Sequence, residues 1–138
     1  ENSHGYTKTV IKRENNKKVY MENSIFILYG LPRFKFESIL AHDLLHVWLN
    51  ERDIKMSSKD TEGFCNLGAA LIYQNDKTPN GEYYLKRMLE DTDPIYGDGY
   101  RKMSKGLQNI GWKALINEVL NSNNSVINKL SIFKEKFF

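Results

Sequence analysis

The sequence has very little of the features that mark secreted, membrane-spanning or cysteine-based zinc proteins. It contains one cysteine in 138 residues, which excludes a disulfide framework and any zinc knuckle or ribbon built from cysteine clusters. No apolar run reaches the roughly 18 to 20 residues of a membrane span, and no signal peptide is recognisable. We therefore expect no membrane span and a cytoplasmic protein. The chain begins at Glu1 without methionine, so export through a removed upstream segment stays an alternative.

The chain also lacks a strong excess of charge of one sign. Its 20 basic and 17 acidic side chains leave a formal net charge of +3. The basic pairs at 12–13 and 17–18 flank a short polar turn, which is typical of a solvated hairpin end, and we predict no nucleic-acid partner. A content of 41% hydrophobic and 27% charged residues is that of one globular domain with a single core.

Strand-like sequence fills the first third of the chain, and helical patterns fill the rest. Tyr6 to Arg13 and Val19 to Leu31 are rich in β-branched and aromatic residues and flank a polar turn. This predicts a small antiparallel sheet, with Ile25 to Tyr29 fully buried. The predicted fold class is α+β.

The helical patterns predict five segments and a tail. Apolar residues cover most of the first helix, which we expect to be the central helix of the core. Residues 93–99 read as a turn-rich loop. We predict one domain over residues 1–122 and a C-terminal tail over 123–138 that contains a short docked helix. The predicted helices span residues 36–51, 57–73, 82–90, 100–109 and 112–120.

Two of the three histidines, His42 and His46, lie four residues apart in the predicted first helix. This spacing places both imidazoles on one helix face, as two ligands of a tetrahedral Zn²⁺ require. Asp43 occupies the position at which HExxH zinc peptidases carry their general-base glutamate. Because aspartate is one methylene shorter, its oxygen would fall about 1 Å short of the water. The alternative is two partly exposed histidines that bind no metal.

A third ligand has to come from another element. Glu62 is the natural candidate, because a second helix folded back along the first would bring it opposite the two histidines, and Gly63 leaves room for a close approach. Asp60 competes for the same role. Either carboxylate could instead serve only as a partner of the helix dipole.

Four stretches of the sequence, in this order and spacing, are similar to the peptidase domain of the plant DA-one family. Members of that family are ubiquitin-activated growth regulators whose peptidase domain follows ubiquitin-interacting motifs and a LIM domain. The resemblance extends from about residue 5 to residue 120. The stretches are IFILYGLPRF at 25–34, SILAHDLLHVWL at 38–49, EGFC at 62–65 and PIYGDGYR at 94–101.

The resemblance implies a zincin-like metallopeptidase fold of the HExxH-plus-Glu type. In that pattern His42, His46 and Glu62 hold Zn²⁺, and Asp43 stands at the general-base position. In the YGDGYR segment, Tyr96 or Arg101 could donate to the oxyanion of the tetrahedral intermediate, as such residues do in related zinc peptidases. Alternatively, the segment only builds a tight turn that caps the next helix.

The predicted function is a zinc-dependent endopeptidase that hydrolyses peptide bonds of protein or peptide substrates. Ubiquitin-pathway proteins are partners implied by the family resemblance, and a strand among residues 19–29 is expected to border the cleft. The alternative is a zinc-binding, catalytically weak or inactive domain that acts as a protein-interaction module. A more distant alternative is a small basic interaction domain without metal.

Overall fold

The computed structural model describes residues 4–124 as one hairpin followed by four helices, which confirms the predicted α+β class with a small antiparallel sheet. The part of the predicted tail beyond residue 124, including its docked helix, lies outside the described residues. The elements are β1 (Gly5–Glu14), β2 (Lys17–Ile27), α1 (Arg33–Glu51), α2 (Ser58–Asn75), α3 (Pro79–Glu90), α4 (Tyr96–Leu120) and a 3₁₀ turn (Ser122–Asn124).

The hairpin turns tightly and exposes one face. Asn15 and Asn16 have φ values of 51° and 61° and form its two-residue turn, because asparagine tolerates the left-handed conformation that such turns require. The prediction that residues 25–29 are fully buried is wrong: Phe26 is 46% exposed and Tyr29 is 99% exposed. Since the helices cover only one face of a two-stranded sheet, alternate side chains remain in solvent, where Phe26 stacks on Tyr6.

The central helix of the core is α2, so the prediction that the first helix occupies this place is wrong. Helix α2 packs against α1, α3 and α4, and Phe64, Cys65 and Leu67 are among its buried residues. Helix α1 is wedged between α2 and the hairpin, and its Leu44 remains 50% exposed. The small residue Gly68 lets α1 approach closely, since a methyl group there would press on the Ala41 carbonyl.

The helix starts follow local capping chemistry. The Ser57 hydroxyl accepts the Asp60 N–H at 3.1 Å and so caps the start of α2. Helix α3 begins at Pro79, three residues earlier than predicted, because proline lacks the N–H that a first helical turn leaves unused.

Helix α4 also begins earlier than expected, and it contains a kink. The Asp93 carboxylate accepts the N–H groups of Ile95 and Tyr96 at 2.8 and 2.9 Å, so residues 96–99 form a helical turn instead of the predicted loop. Gly111 has a φ of 80° and a ψ of 169°, a conformation suited to glycine. It separates the two helical segments that the sequence predicts here. No helix between residues 4 and 124 combines the length and apolar character needed to cross a bilayer.

Candidate metal centre

Helices α1 and α2 bring together the three residues that the sequence predicts as metal ligands. The Nε2 atoms of His42 and His46 lie 3.1 Å apart, one turn from each other on α1. The Glu62 carboxylate, in the second turn of α2, lies 3.1 Å from the first Nε2 atom and 3.3 Å from the second. All three side chains are about four-fifths buried, with exposures of 19 to 21%.

The spacing of these three atoms suits a tetrahedral metal ion. Ligand atoms placed about 2.0 to 2.2 Å from a tetrahedral zinc ion are about 3.3 to 3.5 Å from one another. The observed separations of 3.1 to 3.3 Å are close to this value. The cluster could therefore hold a metal ion, and it is the only group of three or more histidine, cysteine or acidic side chains of this kind within residues 4–124.

The electrostatics of the cluster favour a charged carboxylate. Burial opposes the ionisation of Glu62, but hydrogen bonds from the two imidazoles and the charges on His46 and His42 outweigh it and lower its pKa to about 2. Glu62 is thus an ionised acceptor that faces two imidazole nitrogens. This combination of nitrogen and oxygen donors is one that zinc commonly takes.

Asp43 lies beside the cluster and is 5% exposed. Its Oδ2 atom is buried and has no hydrogen-bond partner among the described residues. Burial raises the pKa of Asp43, against the opposing charges of His42 and His46 and the hydroxyl of Thr7. The unpartnered oxygen is the feature expected of a group that meets a water molecule or a ligand.

Asp60, the competing third ligand, does not take part in the cluster. It is 7% exposed, and its carboxylate pairs with the Lys102 ammonium on α4 at 2.6 Å. Cys65 is also absent from the cluster because it is fully buried in the core, where burial raises the pKa of its thiol. Glu62 is therefore the side chain of α2 that meets the histidines.

The two residues predicted as oxyanion donors have different surroundings. Tyr96 lines the same cavity as the metal-ligand cluster. Arg101 is not among the residues that line it, and its guanidinium donates to the carbonyls of Leu89 and Asp91 at 2.8 and 2.6 Å and pairs with Asp98. Arg101 thus ties the α3–α4 connection together.

The cavity is about 520 Å³ in volume and open to solvent. Residues 4–7, at and just before the start of β1, line it. Residues 19–29, in β2 and directly after it, were expected to border the cleft and are not among the lining residues. Sequence reasoning missed several polar lining residues on α1 and α2. Helical spacing from the predicted ligands could have indicated them, because they continue the same helix faces. They are Lys35, Ser38 and Asn50 on α1 and Asn66 and Tyr73 on α2.

Comparison with known proteins identifies the family. A family model described as "DA1-like: Protein DA1" matches residues 2–78. This chain belongs to the DA1-like family. The match includes His42, His46, Asp43 and Glu62 but ends before Tyr96.

Similar proteins in plants share only part of their length with this chain. Protein DA1 of Arabidopsis thaliana is 32% identical over an alignment of 107 residues. The match covers 56% of this chain and 20% of that protein. The LIM domain-containing protein HDR3 of Oryza sativa subsp. japonica is 24% identical over an alignment of 133 residues. The match covers 70% of this chain and 26% of that protein. The chain thus spans about a quarter of the length of these relatives. No solved structure matches it significantly.

Proposed function

We propose that this DA1-like domain is a zinc-dependent endopeptidase with a zincin-like active site, which hydrolyses peptide bonds of protein substrates. One observation carries the proposal: a His42–His46–Glu62 donor set lines one open cavity with the buried Asp43 carboxyl, whose Oδ2 atom has no hydrogen-bond partner among the described residues. A metal-binding domain without catalysis would have no need of an unsatisfied carboxyl beside its ligands.

Each of these side chains has its own role in the proposed hydrolysis. Zn²⁺ held by His42, His46 and Glu62 would supply Lewis-acid polarisation of the scissile carbonyl and make water more acidic. The Asp43 carboxylate accepts a proton from the attacking water and returns it to the leaving amine nitrogen. Tyr96 donates to the developing oxyanion. We assign this role to Tyr96 because Arg101 is engaged with the α3–α4 connection.

The substrate enters as an extended segment beside β1. Within the described residues β1 pairs only with β2, and its first residues line the cavity. A strand of this kind can bind an extended peptide by main-chain hydrogen bonds. The family resemblance makes ubiquitin-pathway proteins the first substrates to examine.

Zinc content and proteolysis, measured on the same samples, test the proposal. The purified chain should bind one equivalent of zinc and cleave an unstructured protein, and His46→Ala should lose both properties. Leu44→Ala is the matched control, since Leu44 lies on the exposed part of the same helix. Cleavage that survives unchanged in His46→Ala would overturn the proposal.

The Asp43→Glu variant separates an active enzyme from a weak one. Glutamate would extend the carboxyl by about 1 Å towards the water, so we expect cleavage to be kept or raised with the zinc content unchanged. Stoichiometric zinc without turnover in both proteins would instead favour a zinc-binding interaction module.

A further inference from the structure

The cavity at the metal-ligand cluster continues away from it as a groove between α1, α2 and α3. A second cavity of about 840 Å³ adjoins the first. The two cavities share part of their lining, so they form one continuous groove. The shared residues are His4, Lys35, Asn66, Ala69 and Tyr73.

Two cations and two stacked tyrosines form the distal part of this groove. The rings of Tyr73 and Tyr84 stack with centroids 5.3 Å apart. The Lys35 ammonium lies 4.5 Å from the centre of the Tyr84 ring and 3.0 Å from the Tyr73 hydroxyl. The Arg87 guanidinium carbon lies 6.0 Å from the same Tyr84 ring. Tyr84 therefore has a cation from α1 and a cation from α3 beside it.

Neither cation is neutralised by a carboxylate in the part of the chain that the structure describes. The hydrogen-bond and ring contacts of Lys35 and Arg87 within the described residues are with aromatic rings and the Tyr73 hydroxyl. The two acidic side chains that line this end of the groove have other partners. Glu90 pairs with Lys86 at 4.0 Å, and the Asp91 carboxylate accepts the Asp93 N–H at 2.9 Å.

We propose that Lys35 and Arg87 form a substrate subsite that binds an acidic side chain of the protein substrate. The proposal rests on the peptidase function proposed above and names a feature of its substrates. A carboxylate in the groove would meet the ammonium and guanidinium groups, with the Tyr84 ring as an apolar wall beneath its methylene groups. The subsite would select glutamate or aspartate over a neutral amide.

The position of the subsite follows from helix geometry. Lys35 and His42 are seven residues apart on α1, which corresponds to about 10 Å along the helix axis. An extended peptide advances about 3.3 Å per residue. The acidic side chain should therefore lie about three residues from the scissile bond.

Paired peptides that carry glutamate or glutamine three residues from a cleaved bond, on either side, provide the test. We expect wild-type protein to favour the glutamate peptide about tenfold in KM, with kcat unchanged, and to lose this preference at high salt. Lys35→Met and Arg87→Met should each reduce the ratio between the KM values of the two peptides. Lys113→Met is the control, since that exposed lysine of α4 lines neither cavity.

A binding measurement keeps the subsite testable apart from catalysis. Fluorescence anisotropy of the same labelled peptides on metal-free protein should show the glutamate preference. The preference should be reduced in Lys35→Met and in Arg87→Met, whose side chain is exposed. Equal binding of the two peptides to wild-type protein, or a preference that survives in both variants, would overturn the subsite. Loss of cleavage with the binding preference intact would instead count against the peptidase function alone.

Discussion

Asp60 and Glu62 lie two residues apart at the start of α2, yet the protein surrounds them differently. Asp60 meets the Lys102 ammonium of α4 at 2.6 Å. Glu62 meets two imidazole nitrogens of α1 at 3.1 and 3.3 Å, and no lysine or arginine pairs with it within residues 4–124. The Asp60 carboxylate is paired with a cation of the protein itself. The Glu62 carboxylate lies with two imidazole nitrogens around a space that suits a metal cation.

The difference teaches that burial alone does not distinguish a structural carboxylate from a ligand. Asp60 is the more buried of the two, with 7% of its surface exposed. What separates them is the partner, because a buried charge that pairs with a protein cation is satisfied. A carboxylate that faces two imidazole nitrogens, which are themselves metal-ligand atoms, has room for an ion. Three substitutions test this contrast, in order of decreasing effect.

Glu62→Gln should have the largest effect, on zinc affinity. If the roughly 10 to 16 kcal/mol of a zinc site is shared evenly among the three protein ligands, one lost ligand costs about 4 kcal/mol, or about a thousandfold in affinity. Metal-free stability should change less than zinc affinity, since the glutamine amide oxygen can still accept hydrogen bonds from the imidazoles. Competition titration with a chelating dye measures the first quantity and urea unfolding the second. Unchanged zinc affinity would remove Glu62 from the site.

Asp60→Asn should give the opposite result. Loss of the carboxylate breaks the buried ion pair with Lys102, which costs about 3 kcal/mol of unfolding free energy. Zinc stoichiometry should stay at that of the wild type, because the donor atoms belong to α1 and to the next turn of α2. A variant of full stability that binds less zinc would reverse our assignment of the two carboxylates.

Gly63→Ala should have a smaller effect, also on stability. A methyl group at Gly63 would overlap the Gly99 carbonyl of α4, so the two helices must separate at a cost of about 2 kcal/mol. Because this separation moves Lys102 and leaves the α1 histidines in place, the variant should lose stability and keep its zinc. Gln74→Ala, at an exposed position of the same helix, serves as the control and should unfold like the wild type.

Local patterns predicted the α1 part of the site well. The four-residue spacing of His42 and His46 fixes their shared face without any knowledge of the tertiary fold. Apart from the family resemblance, Glu62 could be preferred over Asp60 only by assuming how α2 folds back on α1. The deciding contact is made by Lys102, which lies on α4 and is more than forty residues away in sequence.

Tertiary packing explains the predictions that were wrong. The apolar run at 25–29 predicted a buried strand, but burial on both faces needs a second covering layer, which a two-stranded hairpin on α1 does not have in the described residues. The apolar surface of α1 likewise did not reveal that the hairpin would be one of its neighbours. Gly97 and Gly99 suggested a loop, yet they permit close backbone packing within the first turn of a helix.

The hairpin forms a wall of the cavity but supplies none of the fully buried hydrophobic residues, which belong to α1, α2, α4 and the α1–α2 connection. Its side-chain links to the helical part include the Asn50–Thr9 hydrogen bond and the Lys18–Asp53 ion pair. Local opening of such a segment needs much less free energy than global unfolding. The cavity can therefore widen by movement of the hairpin while the helical core stays folded. Substitutions in the hairpin can thus change the size of substrate that the domain admits without changing its thermal stability.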